Sequence, residues 1–580
     1  MMINENLLLL VILCVSITTP LAAQTTFYLD SEYTGAISNG EKDTPYQKFE
    51  EAFSSACKSE VQSPGTVKTL FLIPRPTGYS ILQPMSYSNC GTLELRSLPT
   101  PELSLIEIQF FRSLSINSST ITFDSIHFKF AMNETKLNGI PLLTMFNSST
   151  RISNCHFGSS TNPVRTHIYF LNFTSGNITI EDSTFDYGKH SASNVFKMSR
   201  VTLQRSKIFT DLFAMASLFN LNGQAEGESS IGAIEPLFNV SEITIFMSTK
   251  EYKQLSINTG LFLVKDINSY FDQIRIVGYD QPSYVLKQLI FFITFTQSTF
   301  TFHLRNFSMT QVAIFTRILS LQMIGTSSDI ILDRITLEEI EAENAYVNED
   351  NKPYFHFQLK RGVNSIQITN VVINSLHTEK SALGLQKNIN TLFEFAVNTF
   401  NDSIRITNVS VSNSTVFGNI FSLQGISDRF IMSNVLVESS VLRANFLKFT
   451  GVLRTNESDY FEIREKRLIQ YLNFTQVNAT QSIFNLITDK ERNPLLRQID
   501  YFVFENLNIQ GLRMMGQNDT STDRSVTING CPAFFALKNT GIKVYQSLFE
   551  EITLLDGHII RVDDKMVPLW IENNSFTNFL

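Results

Sequence analysis

A repeated phrase constrains this chain more than any single residue does. From about residue 90 onward, an alternation of β-branched or aromatic residues with polar ones leads into a short polar turn, often containing Asn, and then into a second alternation. Clear copies are ITFDSIHF from Ile121, ITIEDSTF from Ile178, VTLQRSKIF from Val201, FTFHLRNFSM from Phe300, IILDRITL from Ile330, IQITNVVI from Ile366, IRITNVSV from Ile404, FIMSNVLV from Phe430 and FVFENLNI from Phe502. Most copies follow another apolar stretch, such as LLTMF, FFITF, YFHFQL or LFEFAV. A period of two is the period of a strand, so each repeat holds two or three short strands joined by turns. The spacing is irregular: 23 residues from Ile178 to Val201, but 38 from Ile366 to Ile404, with the additions in polar stretches such as 221–231, 341–352 and 515–529.

Variable insertions on a constant short-strand unit fit a solenoid whose loops leave freely from one face. A leucine-rich repeat would need a near-fixed period and a Leu-x-x-Leu-x-Leu spacing. Here the spacing is Ile-x-Ile-x-Asn-Val-x-Ile, and strand formers on both sides of the Asn argue for an all-β parallel β-helix. In such a coil like sits on like about 4.8 Å above. Phe128, Phe157, Phe185 and Ile208 share one slot of successive repeats, and with 49 Phe in the chain aromatic stacks are expected to fill much of the interior. Asn370, Asn408 and Asn434 share another slot, where an inward asparagine ladder is expected. Asn408 is also a glycosylation sequon. A nitrogen committed to a buried ladder cannot take a glycan, so Asn408 is expected to be unmodified.

The amino-terminal part is different. An apolar strand, FYLD at 27–30, precedes NGEKDTPYQKFEEAFSSAC from Asn39. This stretch predicts a helix with Thr44 as N-cap, Pro45 as first helical residue and an apolar stripe of Phe49, Ala52, Phe53 and Ala56. A β-helix exposes unpaired backbone at its ends, and the stripe would cover the first coil. Asn39, Gly40, Pro45, Tyr46, Phe49, Ala52 and Phe53 resemble the amino-terminal signature of the pectin-lyase-like superfamily, which implies a right-handed parallel β-helix solenoid with an N-terminal capping helix. The Phe-, Ile- and Asn-rich coils also resemble non-catalytic surface β-helix proteins of single-celled eukaryotes.

Residues 1–24 read as a secretory signal peptide, with an apolar run from Leu7 to about Ile17 and small residues at Ala22 and Ala23. Residues 25–90 would form the strand, the capping helix and the first coils, and 91–580 the repeats. The chain breaks off at SFTNFL in mid-coil, which sets the expectation that the protein continues further. Beyond the signal no apolar run has the roughly 20 residues of a membrane-spanning helix. The net charge of −8, with Lys and Arg scattered, argues against a nucleic-acid partner. Asn117, Asn133, Asn147, Asn172, Asn177, Asn239, Asn306, Asn456 and Asn518 are candidate glycosylation sites, and Asn401, Asn408, Asn413, Asn473, Asn478 and Asn573 complete the sequons. Outside the signal, Cys57, Cys90, Cys155 and Cys531 allow three full connectivities. Cys57 and Cys90 alone are close in sequence, and a bridge between them is expected in an oxidising compartment. Cys155 reads as a small buried apolar residue.

Enzymes of the superfamily cleave acidic polysaccharides, so their signatures are the ones to seek. The polygalacturonase order of Asp pairs, GHG and RIK is not met: DGH at 556–558 with Asp563 and Asp564 has the wrong order and lacks the second Gly and the RIK. The acidic run from Leu332 to Asp350 has no calcium-loop spacing and reads as a solvated loop. His127 and His156 occupy equivalent outward slots of adjacent repeats, expected to be a solvent-facing ladder rather than a metal site. No catalytic residue, cofactor or metal is therefore assigned. The expected function is a secreted or cell-surface non-catalytic β-helix protein, structural, adhesive or glycan-recognising, with extracellular polysaccharide or surface glycans as partner. A diverged polysaccharide lyase or glycoside hydrolase is the alternative.

Overall fold

The computed structural model describes residues 25–579 apart from several stretches, the longer of which are 131–140, 224–235, 248–259, 343–352, 379–390, 453–466, 490–499 and 516–531. The signal segment, Cys531 and the sequons Asn133, Asn401, Asn456 and Asn518 fall outside the described residues. The chain divides into two compact units, one running to Asp186 except for 165–168, the other from Tyr187 onward together with 165–168. Each unit is a parallel β-helix, in which the described strands pair in parallel with the equivalent strand of the next coil, with a register shift between Ser88 and Gly91. In the larger unit Ser328–Ala342 pairs with Asn364–Thr378 from Ser328↔Asn364 through Ala342↔Thr378.

Single residues in the left-handed backbone region make the corners. Sheet 1 strands such as Phe355–Leu359 lead to sheet 2 segments such as 364–369, and sheet 2 turns into sheet 3, as at 371–374, at one residue with φ near +50 to +57°: Asn306, Arg334, Asn370, Asn408, Asn434, Tyr471, Asn506, Gln546 and Asn573 in successive coils. Five residues later each of these coils bends again in the same way, at Gln311, Glu339, Ser375, Asn413, Ser439, Gln476, Gly511, Glu551 and Asn578. One residue at positive φ turns the strand direction while the flanking residues stay paired, as Asp333↔Thr369 and Ile335↔Val371 do on either side of Arg334 and Asn370. Asn dominates the first set because it tolerates this region better than other side chains bearing a Cβ. The residue after a corner is often a buried Ser. Ser414 Oγ, for example, donates to Ser412 O at 2.7 Å and accepts from Leu376 N at 3.1 Å, which satisfies the backbone where the chain bends.

The interior is built of columns. In sheet 1 of the larger unit Phe219, Phe262, Phe291, Leu319, Phe355, Phe393, Phe421, Leu447, Phe484 and Phe535 stack in register, with ring centroids 4.8 Å apart for Phe355 and Phe393. In the smaller unit Phe128, Phe157 and Phe185 share one column, at 5.2 and 4.8 Å. Ile208, within the larger unit, shares a column with Ile245 and Ile276. Each fully buried Phe contributes about 1.5–3 kcal/mol of transfer free energy.

At the amino-terminal end helix α1, Phe49–Lys58, buries Phe49, Ala52, Phe53, Ala56 and Cys57 against Thr25–Leu29, Val67–Leu72 and Met85–Ser97. The helix begins later than the sequence suggests. Thr44 and Pro45 lie in an extended segment instead, because Tyr46 N donates to Tyr28 O and Asp30 N to Tyr46 O, adding a stretch of backbone beside the first strand. Gly40 turns this loop at φ +84°, and a Cβ there would sit 2.3 Å from the Tyr46 ring. The Cys57–Cys90 disulfide ties the carboxyl end of α1 to the coil beneath, with Cα atoms 4.4 Å apart. The buried Lys68 ammonium donates to Cys57 O at 3.2 Å, a cation at the negative end of the helix dipole. Below it Arg75 holds the buried Asp30 through Nε to Oδ1 at 2.7 Å and Nη2 to Oδ2 at 2.5 Å.

Candidate functional site

Outward positions repeat coil by coil just as inward ones do, so any site on this fold is a set of side chains brought together by register. Asn370, Asn408 and Asn434 form such a column. Asn434 Nδ2 donates to Asn408 Oδ1 at 3.2 Å, Asn408 Nδ2 to Asn370 Oδ1 at 3.0 Å, and Asn370 Nδ2 to Asp333 Oδ1 at 2.8 Å. The expected inward direction is corrected: all three asparagines are exposed, because a left-handed corner residue projects its side chain away from the coil. The ladder uses one of the two N–H donors of Asn408, so it does not by itself exclude a glycan there. A buried asparagine ladder does exist elsewhere, where Asn445 Nδ2 donates to Asn419 Oδ1 at 2.9 Å and Asn419 Nδ2 to Thr391 Oγ1 at 3.3 Å. Its signal is an Asn one or two residues ahead of a sheet 1 Phe, in GNIF and ANFL.

Of the other sequons, Asn117, Asn147, Asn177, Asn413 and Asn573 are exposed, and Asn172, Asn239, Asn306, Asn473 and Asn478 are half-buried. Cys155 is buried and free. Its Sγ lies 3.2 Å from Ser153 O, as the Ser183 hydroxyl lies 2.8 Å from Glu181 O one coil on, and burial pushes the thiol up to about 12. The acidic run beginning at Leu332 is strand as far as Ala342, not loop. Its outward acids alternate with the buried Leu332, Ile335, Leu337 and Ile340. Asp563 sits 3.2 Å from Arg561, while Asp556 and Asp564 lie outside the described residues.

A polar cluster on the outer face of sheet 1 has no signature in the sequence. Ser320, His356, Glu394, Ser422 and Lys448 are successive members of one outward column. Arg317, just before the Leu319–Met323 strand, reaches over it. Arg317 Nη1 is 3.4 Å from His356 Nδ1, and His356 Nε2 is 3.8 Å from Glu394 Oε1. Guanidinium only donates, so Nδ1 is the accepting nitrogen and the ring proton sits on Nε2, toward Glu394. Burial, reinforced by the Arg317 charge, pushes His356 down to about 4. Burial raises Glu394 against the opposing pull of Arg317 and Lys448 and lowers Arg317. Ser320 is 1% exposed, and its Oγ and Arg317 Nε have no partner. Serine, histidine and glutamate therefore stand in a row, but not as an acyl-transfer triad, since Ser320 Oγ is bonded to neither ring nitrogen. The spare donors and the protonatable carboxyl suit hydrogen bonding to a polar ligand rather than nucleophilic attack.

On the smaller unit His127 and His156 are in register, with ring centroids 4.5 Å apart at 74°. They are half-buried, not solvent-facing. Burial pushes His127 down to about 4, with the His156 and Lys129 charges adding to the effect. Among the described residues no three His, Cys, Asp or Glu side chains already converge as a metal site, and no helix is long and apolar enough to cross a membrane.

No protein-family model and no curated protein matches the chain. Solved structures similar to it include the catalytic unit of a GH87 α-1,3-glucanase from Streptomyces thermodiastaticus, at 11% identity and a TM-score of 0.27 over 97% of this chain and 70% of that one. Others are the Streptococcus pneumoniae surface protein and adhesin PfbA, at 11% identity and 0.22 over 88% and 94%, and the PL6 family alginate lyase AlyGC, at 10% and 0.21 over 96% and 100%. Likenesses this distant carry no argument about activity, which rests on the chain's own surfaces.

Proposed function

We propose that the protein is a secreted or cell-surface, non-catalytic β-helix protein that recognises extended glycans through its outer faces. The observation that carries this reading is the outward column of sheet 3 in the larger unit. Thr310, Glu338, Asn374, Ser412, Glu438, Thr475, Gln510, Glu550 and Thr577 follow one another in register. Beside it run Ser410, Leu436, Asn473 and Asn508. Amides, hydroxyls and carboxylates thus recur at the coil spacing of about 4.8 Å, a periodic set of donors and acceptors suited to a polymer with its own hydroxyl repeat. The disulfide at the capping helix agrees with an exported protein.

The second reading, a diverged polysaccharide lyase or hydrolase, is favoured by Glu394, a carboxyl held above its ordinary range beside Arg317 and His356. One experiment separates the two. The purified protein is incubated with neutral and acidic polysaccharides, and both retention and polymer length are followed, in parallel with Glu394→Gln. Retention without shortening, equal in the variant, is the expected result. Shortened polymer that Glu394→Gln abolishes would replace the binding reading with the enzymatic one, and absence of retention on every polymer would refute glycan recognition.

A further inference from the structure

The histidine pair of the smaller unit stands beside a glycine. Gly158 follows His156 by two residues and lies outward in the same strand, His156–Ser159, next to Lys129 of the coil before and Asp186 of the coil after. A Cβ on Gly158 would meet His127 Nε2 at 2.7 Å and His156 Nε2 at 3.1 Å. The two Nε2 atoms therefore converge on one small space that exists only because residue 158 has no side chain. His127 Nε2 faces that space buried and without a hydrogen-bond partner, an arrangement that costs free energy unless something fills it. Lys129 is drawn off by Glu107 at 2.5 Å, and the Asp186 carboxylate places negative charge on the other side.

We propose that His127 and His156 bind a transition-metal dication of the imidazole-preferring kind, Zn2+, Ni2+ or Cu2+, in the space over Gly158. Two imidazole nitrogens directed at a common point match the ligand type these ions prefer, at Zn–N distances of about 2.0–2.1 Å reached by small ring rotations. Water would complete the coordination, and Asp186 offers a charge-balancing carboxylate in or just beyond the first sphere. Gly158 acts here as a space-keeping residue, which distinguishes this site from a chance pair of surface histidines.

The test is a calorimetric titration of the purified protein with Zn2+ alone, repeated with Ni2+, on the wild type, His127→Asn, Gly158→Ala and, as a control, His303→Asn. The expected result is one site near unit stoichiometry, weakened at least tenfold by both His127→Asn and Gly158→Ala and unchanged by His303→Asn. The Gly158→Ala variant keeps both ligands and an ordinary strand backbone, so its loss of binding reports the space itself. Equal binding by wild type and Gly158→Ala would overturn the proposal, as would a wild-type site no stronger than that of His127→Asn. Should one variant fold poorly by circular dichroism, the other decides alone.

Discussion

Tyr471 offers the sharpest test of the corner rule. Eight of the other coils place Asn306, Arg334, Asn370, Asn408, Asn434, Asn506, Gln546 or Asn573 at this corner, and Tyr471 adopts the same backbone, φ +54°. An L-residue with a bulky side chain pays roughly 1–2 kcal/mol in the left-handed region, and Asn less. The Tyr471 side chain is 54% exposed, so replacing it removes little packing. In Tyr471→Asn the new amide would stand between Asn434 and Asn506 and extend the ladder that now runs from Asp333 to Asn434. Relief of strain plus one exposed amide bond, taken at the low end of about 0.5–1.5 kcal/mol, predicts a gain of about 1 kcal/mol. A protein built of stacked coils need not unfold in one step. The assay is therefore native-state hydrogen exchange of amides in Arg467–Thr475 and its paired neighbours, with the urea midpoint as a global readout. Protection there should rise about fivefold. Unchanged or reduced protection would mean that the neighbours' preference for Asn is not conformational, and the reasoning fails.

Three further outcomes follow from the same geometry. Replacing Cys57 and Cys90 by Ser opens a loop closed across 33 residues and should cost about 3–4 kcal/mol, read as loss of exchange protection in Phe49–Lys58 before the coils respond. Cys155→Ser should change stability by less than about 1 kcal/mol, because the hydroxyl can take the thiol's bond to Ser153 O, and the native thiol should resist iodoacetamide until the smaller unit unfolds. Asp30 is held below the usual carboxylate range chiefly by its bond from Arg75; a depressed folded pKa stabilises above the unfolded value of about 3.9 and loses that contribution as pH falls through the lower folded value. Acid unfolding of the smaller unit should thus be less steep below about pH 4 in Asp30→Asn, and a slope identical to wild type would refute the assignment.

The strands were legible because period two and burial are both local: Ile366, Ile368, Val371 and Ile373 point inward as their alternation requires. The helix stripe was legible for the same reason at period 3.6. Its start was not, because Tyr46 is claimed by backbone pairing with Tyr28, a contact no local propensity encodes. Corners occupied by Arg334, Tyr471 and Gln546 carry no mark in the sequence either, since their conformation is imposed by pairing on both sides. The cluster of Arg317, Ser320, His356 and Glu394 was hidden more deeply. Its members come from three coils of unequal length, and only the register, not a spacing, brings them together.

The unequal coils have an energetic meaning of their own. Ser414 N reaches Ser440 Oγ across 26 residues, whereas Thr488 and Thr540 meet across 52. Closing a flexible loop grows costlier only with the logarithm of its length, so doubling the contour adds about 0.6 kcal/mol, less than one misplaced corner residue. Mutational drift can therefore lengthen or rewrite the excursions between coils at almost no thermodynamic penalty, while a change at a corner or in an interior column carries a cost in stability. The fold behaves as a fixed spine bearing freely variable text, and diversity in such a protein should accumulate in the excursions first.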